Sequence, residues 1–405
     1  MSEECRNSIS VVIPCYNHGR FLAEAVGSVL AQTRPADEII VVDDGSTDDT
    51  PEVAARYRPG VSYLRQENRG LSAARNAGMR QASGAFIAFL DADDLWQPSF
   101  LARLAPILES QPRLAAVHCG TYFMDVAGAV LPQRATKTVA PSAMFDALTG
   151  GEFFSACAVL ACKAVLEECG GFDETLRAAE DWDLWLRVSR RYLFGGLADS
   201  LVAYRRHGEN MSADLHRMLD SELAVVQKNF GSLSGDPTDW PQARRRACAA
   251  AQLNTALRYF QRDQTEQGSE LLARAFRTLP DLAGRADVFY ELGCADQPLG
   301  WRGDLASLDL DKNAALVETF LAGLFATAGL TPDLRSRRGT AYGTAYLALG
   351  LLAYGCGRLG AARRWLWRAA GQRPQLLFQR QWATTFGKTL LGSRVTGAFR
   401  RLAHG

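Results

Sequence analysis

The sequence predicts an α/β domain with a mostly parallel central sheet flanked by helices, followed by an all-α domain. In the first half of the chain, short apolar runs alternate with segments of helical periodicity, which is typical of parallel sheets. Polar residues follow directly after these runs, at the edge where open α/β sheets bind ligands. Beyond about residue 215 the pattern becomes helical throughout.

Four strands are predicted in the first half. They are the apolar runs at 9–13, 38–42, 61–64 and 84–90. Between the first two runs, apolar residues at helical spacing predict a helix over roughly residues 20–32. Strands and helices that alternate in this way predict a sheet that binds a nucleotide.

The fourth strand ends in three carboxylates, Asp91, Asp93 and Asp94. Acids at a strand end are costly unless they face water or hold a cation. Because side chains of an extended chain repeat every second residue, we expect Asp91 and Asp93 on the same side. This arrangement suits a divalent ion that bridges the phosphates of a nucleotide. The alternative is a polar turn before the next helix, with Asp94 as its cap.

Several motifs occur together in one order. They are V-V-I-P-C-Y-N from Val11, V-V-D-D-G-S-T-D from Val41, N-R-G-L-S-A-A-R-N-A-G from Asn68, D-A-D-D from Asp91, G-G-F-D-E from Gly170, A-E-D-W-D-L-W-L-R from Ala179 and Y-R-R-H-G-E-N-M-S from Tyr204. Together they resemble family 2 glycosyltransferases of the GT-A fold, over roughly residues 7–213. The resemblance implies transfer of a sugar from a nucleoside diphosphate to an acceptor.

The resemblance implies a donor site at the strand ends. Tyr16 offers a flat ring for stacking on a nucleobase, and Asp44, followed by Asp43, is the expected acceptor of a hydrogen bond from base or ribose. Arg69 and Arg75 lie near a predicted helix start, which favours a phosphate or a structural contact beside it. Strand-end packing and helix capping are the alternative. The predicted donor-binding residues are Pro14, Tyr16, Asn17, Asp43, Asp44, Arg69, Arg75, Asp91 and Ala92.

A divalent metal, Mn2+ or Mg2+, is implied by the same resemblance. Asp93 is the first choice as its ligand, and Asp91 is expected to contact the ribose, or the metal through water. A late histidine completes the metal or diphosphate shell in GT-A enzymes, and His207 is predicted to do so here. Arg205 and Arg206 are phosphate candidates beside it. The remaining histidines are expected to be structural or solvated: His18, His118, His216 and His404.

Asp181 is the predicted catalytic base. An acid near the anomeric carbon takes the proton of the acceptor hydroxyl as its oxygen attacks. Family 2 enzymes invert the anomeric centre in one displacement, so one carboxylate is enough. Glu180 is the second choice, and both acids also suit the first turn of a helix. Trp182 and Trp185 are expected in packing or in contact with the acceptor.

The composition indicates two or three domains with real cores. The chain has 405 residues, of which 47% are hydrophobic and 22% are charged, and this balance excludes a disordered protein. Nine cysteines are scattered without C-x-x-C pairs, which favours a reducing cytoplasm over a disulfide framework or a zinc site. The polar first residues predict no signal peptide.

The net charge of +1 conceals an asymmetry, because no acidic residue follows Asp333 whereas thirteen lysines and arginines do. A basic C-terminal region attracts anionic lipid headgroups or other polyanions. An arginine-rich surface without such a role is the alternative. Nucleic acid is not expected, because no reading motif accompanies the charge. We therefore expect a cytoplasmic protein with peripheral contact to the inner face of the cytoplasmic membrane.

Two segments of the helical region resemble tetratricopeptide repeats, at 256–280 and 346–374. Such repeats are helix pairs with small residues where the helices touch. They are expected to bind a partner protein or to brace the catalytic domain. The uncharged segment 339–357 is rich in Gly, Ala, Thr and Tyr, which argues against a transmembrane helix.

We therefore predict a GT-A domain at 1–215, a connecting helix and linker at 216–240, a tetratricopeptide-like domain at 241–385 and a basic tail at 386–405. The predicted function is inverting transfer of one sugar to a hydroxyl group of a glycan or lipid-linked acceptor in the cell envelope. The alternative is an interaction scaffold whose catalytic domain has degenerated. A nucleotidyltransferase is disfavoured, because no glycine-rich loop follows the first strand.

Overall fold

The computed structural model describes residues 7–131, 138–151, 153–208, 210–297, 305, 307–378, 380 and 382–389. The chain divides into two compact units, Met1–Ser234 and Gly235–Gly405. The boundary lies within the segment 231–237, which is rich in Gly, Ser and Pro. Most of the basic tail predicted at 386–405 lies outside the described residues.

An eight-stranded sheet forms the centre of the first unit. Its strands are β1 (Ile9–Cys15), β2 (Glu38–Asp43), β3 (Ser62–Arg65), β4 (Phe86–Phe89), β5 (Leu95–Trp96), β6 (Leu114–Met124), β7 (Val159–Cys162) and β8 (Leu193–Arg205). Their order across the sheet is β3-β2-β1-β4-β7-β6-β8-β5. The four predicted strands are confirmed as β1 to β4, and they pair in parallel.

The rest of the sheet is mixed. Strand β7 runs antiparallel to both β4 and β6, and β5 runs antiparallel to β8. Strands β6 and β8 are parallel. The strands β1 and β4 are buried along their whole length, which explains why their sequences are continuous apolar runs without alternation.

Helices cover the sheet of the first unit. They are α1 (Gly19–Leu30), α2 (Thr50–Ala55), α3 (Leu71–Gln81), α4 (Phe100–Ser110), α5 (Met144–Leu148), α6 (Lys163–Glu168), α7 (Glu180–Ser189) and α8 (Leu215–Phe230). Helix α3 packs closely on β1 at Gly78, where a Cβ would lie 2.3 Å from Val12 Cγ1. Helix α8, expected in the connecting segment, packs within the first unit, and Asn229 Nδ2 donates to Asp183 Oδ1 at 2.8 Å.

The described part of the second unit is helical. Its helices are α9 (Gln242–Phe260), α10 (Thr265–Thr278), α11 (Ala286–Leu292), α12 (Leu310–Ala326), α13 (Pro332–Ser336), α14 (Arg338–Gly355) and α15 (Leu359–Gln372). Both repeat-like segments form helix pairs, α9 with α10 and α14 with α15. In the second pair, Gly350 lies against Leu366, and a Cβ there would approach the leucine side chain to 2.9 Å. Among the described residues, we find no helix whose length and apolar character would let it cross a membrane.

Candidate functional site

The loops after β1 and β2 lie side by side, because Cys15 at the end of β1 is paired with Asp43 at the end of β2. Asn17 joins the two loops: its N–H donates to Ser46 Oγ at 3.0 Å, and its Oδ1 accepts from the N–H of Thr47 at 2.8 Å. Tyr16 is 48% exposed beside this junction, so its ring is open to a ligand. Pro14 is buried within β1.

Both acids after β2 are buried and hydrogen-bonded within the protein. Asp43 accepts from the N–H of Ser46 at 2.8 Å and from the Tyr63 hydroxyl at 2.5 Å. Asp44 Oδ1 and Oδ2 accept from the N–H groups of Arg69 and Gly70, at 3.0 and 2.8 Å. These bonds fix the loop before α3. A contact of either acid with a base or ribose stays a prediction.

The segment after β4 is a turn, and here the structure corrects the sequence analysis. The N–H of Asp94 donates to the carbonyl of Asp91 at 3.0 Å, which closes a four-residue turn. The expectation that Asp91 and Asp93 lie on an extended chain is therefore wrong, and the two carboxylates have different partners. Ala92 is buried inside the turn. Asp94 does not cap α4, whose N-cap residue is Ser99.

Asp94 instead lies in the interior, where its Oδ1 accepts from the N–H of Arg205 at 3.0 Å. Burial, with Asp93 and Asp91 adding repulsion, raises the pKa of this carboxyl well above its usual range. The thiol of Cys157 lies beside the turn and accepts from the N–H of Asp91 at 3.3 Å.

Arg75 is the buried centre of the site. Its Nη2 donates to Asp91 Oδ1 at 2.8 Å, and its Nη1 donates to Glu180 Oε1 at 2.5 Å. Burial alone would lower the pKa of Arg75, but Asp91 and Glu180 raise it, so the guanidinium stays charged. The side chain is only 2% exposed. The sequence left two roles open for Arg75, a contact with phosphate and a structural contact. Its two carboxylate partners fit the structural contact, and a contact with phosphate stays a prediction.

Helix α7 begins at the two acids predicted for catalysis. Glu180 is buried against Arg75, and burial raises the pKa of its carboxyl despite that charge. Asp181 is half-buried and accepts from the N–H of Ala156 at 3.2 Å. Trp182 is buried and donates from Nε1 to the carbonyl of Leu148 at 2.9 Å, so it packs inside the protein; a contact with the acceptor stays a prediction.

Asp93, His207 and His18 form a cluster at the other side of the turn. His207 Nε2 lies 2.9 Å from Asp93 Oδ2, and one potential ligand atom from each of the three residues lies within 4.8 Å of the others. Burial would raise the pKa of Asp93, but the hydrogen bond from His207 and the charge of His18 lower it. Asn210 Nδ2 lies 3.3 Å from the same carboxylate oxygen.

Three arginines predicted to contact phosphate have partners within the protein, and their contact with a phosphate stays a prediction. Arg205 is buried and donates to the carbonyls of Asp93 and Val126 at 3.0 and 2.9 Å. Arg206 is half-buried, with its guanidinium carbon 5.8 Å from the Phe123 ring centroid. Arg69 is exposed and pairs with Glu174 at 2.8 Å. Arg205 therefore holds the turn in place, whereas the ion pair of Arg69 with Glu174 lies at the surface.

Two members of the site were missed from the sequence. His18 was expected to be structural or solvated, although its position directly after the Y-N of the first motif was a signal that places it at a strand end. Cys157 carries no motif, since it lies in an apolar run. Only the packing of the chain brings it against Asp91.

The first half of the chain is similar to known glycosyltransferases. Residues 10–169 match the family model described as Glycosyl transferase family 2. An uncharacterized glycosyltransferase of Rickettsia prowazekii is 32% identical over 188 residues, which are 45% of this chain and 58% of the relative. The chondroitin synthase of Escherichia coli is 29% identical over 232 residues, which are 56% of this chain and 33% of that protein. The matches thus span about half of this chain and less than two thirds of either relative.

Among solved structures, S. aureus TarS 1–349 in complex with UDP-GlcNAc aligns with a TM-score of 0.50 at 19% identity, over 82% of this chain and 90% of that one. At 19% identity this similarity is evidence for the fold alone. The first unit thus has a GT-A fold, and residues 10–169 are similar to glycosyltransferases of family 2.

Proposed function

We propose that the protein is an inverting, metal-dependent hexosyltransferase that moves a single sugar from a nucleoside-diphosphate sugar to a hydroxyl group of a glycan or lipid-linked acceptor of the cell envelope. The observation that carries the proposal is the Arg75 bridge. One buried guanidinium joins Asp91, in the turn beside the metal-ligand cluster, to Glu180 at the start of α7. Arg75 thereby fixes the turn that contains Asp91 relative to the start of α7, which carries the proposed base.

In this proposal the donor lies over the ends of β1, β2 and β4. Tyr16 stacks on the base, and the Asp44-anchored loop carries Arg69 toward the diphosphate. Asp93 and His207, with an oxygen and a nitrogen 2.9 Å apart, have the chemistry to hold a Mn2+ or Mg2+ ion. Such an ion, when bound, offsets the negative charge that develops on the leaving diphosphate.

Asp181 is the base in this proposal. It is the more accessible acid of the pair at the start of α7, whereas Glu180 is bonded to Arg75. As the acceptor oxygen attacks the anomeric carbon, Asp181 takes the hydroxyl proton and the diphosphate leaves from the opposite face. The configuration is inverted because only one displacement occurs. Arg75 positions both elements through Asp91 and Glu180.

The test is a thermal unfolding screen with UDP, GDP and dTDP and their sugars, each with and without Mn2+. A ligand at 100 times its dissociation constant stabilises the protein by about 2.7 kcal/mol, which is easily detected. We expect one nucleotide to raise the unfolding temperature in a metal-dependent way, and Asp93→Ala to abolish that dependence. An unfolding temperature that no nucleotide changes would instead support the scaffold alternative.

We also propose that the second unit contacts an anionic membrane surface. Within its described part, three large apolar side chains are exposed: Trp367 by 58%, Leu377 by 39% and Phe378 by 91%. The neighbouring Arg363 and Arg364 are exposed as well. Because no acidic residue follows position 333, the basic residues of this part of the chain favour anionic headgroups, to which each one near the membrane surface contributes about 1 kcal/mol.

Vesicle co-sedimentation tests this contact. We expect binding to phosphatidylglycerol vesicles, weaker binding to phosphatidylcholine, and a loss of at least about 10-fold in Trp367→Ser/Phe378→Ser, because two aromatic side chains no longer insert. Leu30→Ser, which removes a 53% exposed side chain of the first unit, is the matched control and should bind as wild type. Equal binding to phosphatidylglycerol and phosphatidylcholine vesicles would contradict an attraction between the basic residues and anionic headgroups.

A further inference from the structure

His18 occupies a position that packing alone does not explain. It is the N-cap residue of α1, yet its side chain makes no capping hydrogen bond. Its ring meets that of His207 edge-on, with centroids 5.5 Å apart and an interplanar angle of 88°. Its other ring contact is Phe21, with centroids 6.0 Å apart. The His18 imidazole makes no hydrogen bond with the described residues, so its ring nitrogens are available to bind a ligand.

The distances suit a shared ion. Ligand atoms bound at about 2.1 Å to one octahedral ion lie about 3 Å apart when adjacent and at most about 4.2 Å apart. The 2.9 Å between His207 Nε2 and Asp93 Oδ2 matches the adjacent case. All three potential ligand atoms lie within 4.8 Å of one another, so His18 lies near an ion that His207 and Asp93 would share.

The groups around the cluster hold its members in place. Asn210 Oδ1 accepts from the N–H of His207 at 2.7 Å, and Asn210 Nδ2 approaches Asp93 Oδ2 at 3.3 Å. Arg205 Nε donates to the carbonyl of Asp93 at 3.0 Å. Such outer contacts orient metal ligands and are typical of built sites.

A second group of potential ligands, Asp91, Asp94 and Cys157, lies on the other side of the turn. Asp94 and Cys157 are completely enclosed, and Asp91 is bonded to Arg75. This group therefore has no open position for a phosphate oxygen. Each of the three residues of the cluster with His18 keeps some exposed surface, although the side chains of His207 and Asp93 are only 3% and 13% exposed.

We propose that His18 is a third protein ligand of the metal, and that its nitrogen makes the site select a transition-metal ion such as Mn2+ over Mg2+. The inference rests on the proposed metal dependence and goes beyond it. Mg2+ prefers carboxylate oxygens and water, whereas imidazole nitrogen suits the later divalent ions. Two imidazoles and one carboxylate leave open positions for oxygens of the donor diphosphate.

Mn2+ itself is the probe. Binding to the full chain, with and without UDP, is followed by the loss of the free-ion electron paramagnetic resonance signal, and Mg2+ binding is measured by competition. We expect wild type to prefer Mn2+, and His18→Ala to weaken Mn2+ binding at least about 10-fold with a much smaller effect on Mg2+. His216→Ala, which removes an exposed histidine of α8, is the matched control and should behave as wild type.

Electron spin echo modulation from nitrogen gives an independent readout on the wild-type protein. We expect two imidazoles coupled to the bound Mn2+ in the wild-type protein, and one in His18→Ala or His18→Gln. A single imidazole in wild type, or unchanged Mn2+ affinity in both folded variants, would overturn the role of His18. Mn2+ binding that persists in Asp93→Ala, or is absent in wild type with UDP, would instead remove the proposed metal site as a whole.

Discussion

Removal of the Arg75 side chain is expected to destabilise the first unit strongly. In Arg75→Met the carboxylate of Glu180 remains buried without its partner, which is 2.5 Å away in the wild-type protein. Two unit charges about 4 Å apart interact by about 4 kcal/mol at an effective dielectric constant of about 20. Breaking a buried pair from one side costs about 3–5 kcal/mol, and we expect a loss in this range. Most of it comes from Glu180, because Asp91 is more exposed.

Native-state hydrogen exchange of α3 and α7 measures this loss, since it reports the first unit separately from the helical unit. The control is Arg103→Met, whose ion pair with Asp199 is largely exposed and should contribute no more than about 1 kcal/mol. In a double-mutant cycle with Glu180→Gln, we expect a coupling of at least about 1 kcal/mol. Additive effects of the two changes, or a loss below about 1 kcal/mol for Arg75→Met, would refute the reasoning.

Three further predictions concern donor binding, proton transfer and pH. Tyr16→Ala should weaken nucleotide binding about 5- to 100-fold by calorimetry, because stacking on a base contributes about 1–3 kcal/mol; unchanged binding would remove Tyr16 from the donor site. Asp181→Asn should keep donor affinity, whereas its initial rate of sugar transfer should fall at least about 100-fold. Asp199→Asn is the control, and a wild-type rate in Asp181→Asn would exclude Asp181 as the base. Burial lowers the pKa of His118 to about 4, from about 6.5 in the unfolded protein. Between pH 6.5 and pH 4 the unfolded state therefore binds more protons than the folded state, and the free energy of unfolding falls as the pH falls. Between pH 7 and pH 5 the first unit should lose about 2 kcal/mol through this group, measured by hydrogen exchange at both values, and His118→Gln should show that much less pH dependence.

The elements of the first unit were predictable because their signals are local. A strand that is covered on both faces needs a continuous apolar run, and β1, β2 and β4 each have one. The order of the motifs along the chain then indicated a similarity to family 2 glycosyltransferases, and the carboxyl ends of the parallel strands indicated where to look for a candidate site. The helical second unit was predictable for the same reason, from periodicity and from small residues such as Gly350 at helix contacts.

The partners of the charged groups were not predictable, because they are far apart in the chain. Arg75 and Glu180 are 105 positions apart, and Asp93 and His207 are 114 apart. Spacing alone predicted two carboxylates on an extended chain, but residues 91–94 form a turn in which Asp91 meets Arg75 and Asp93 meets His207. The sequence by itself determined the fold class and the resemblance to family 2 glycosyltransferases, since these follow from local hydrophobic period and motif order. The tertiary structure alone decided which acid meets Arg75 and which histidines meet Asp93, because buried charges take whichever partners the packed chain brings within reach.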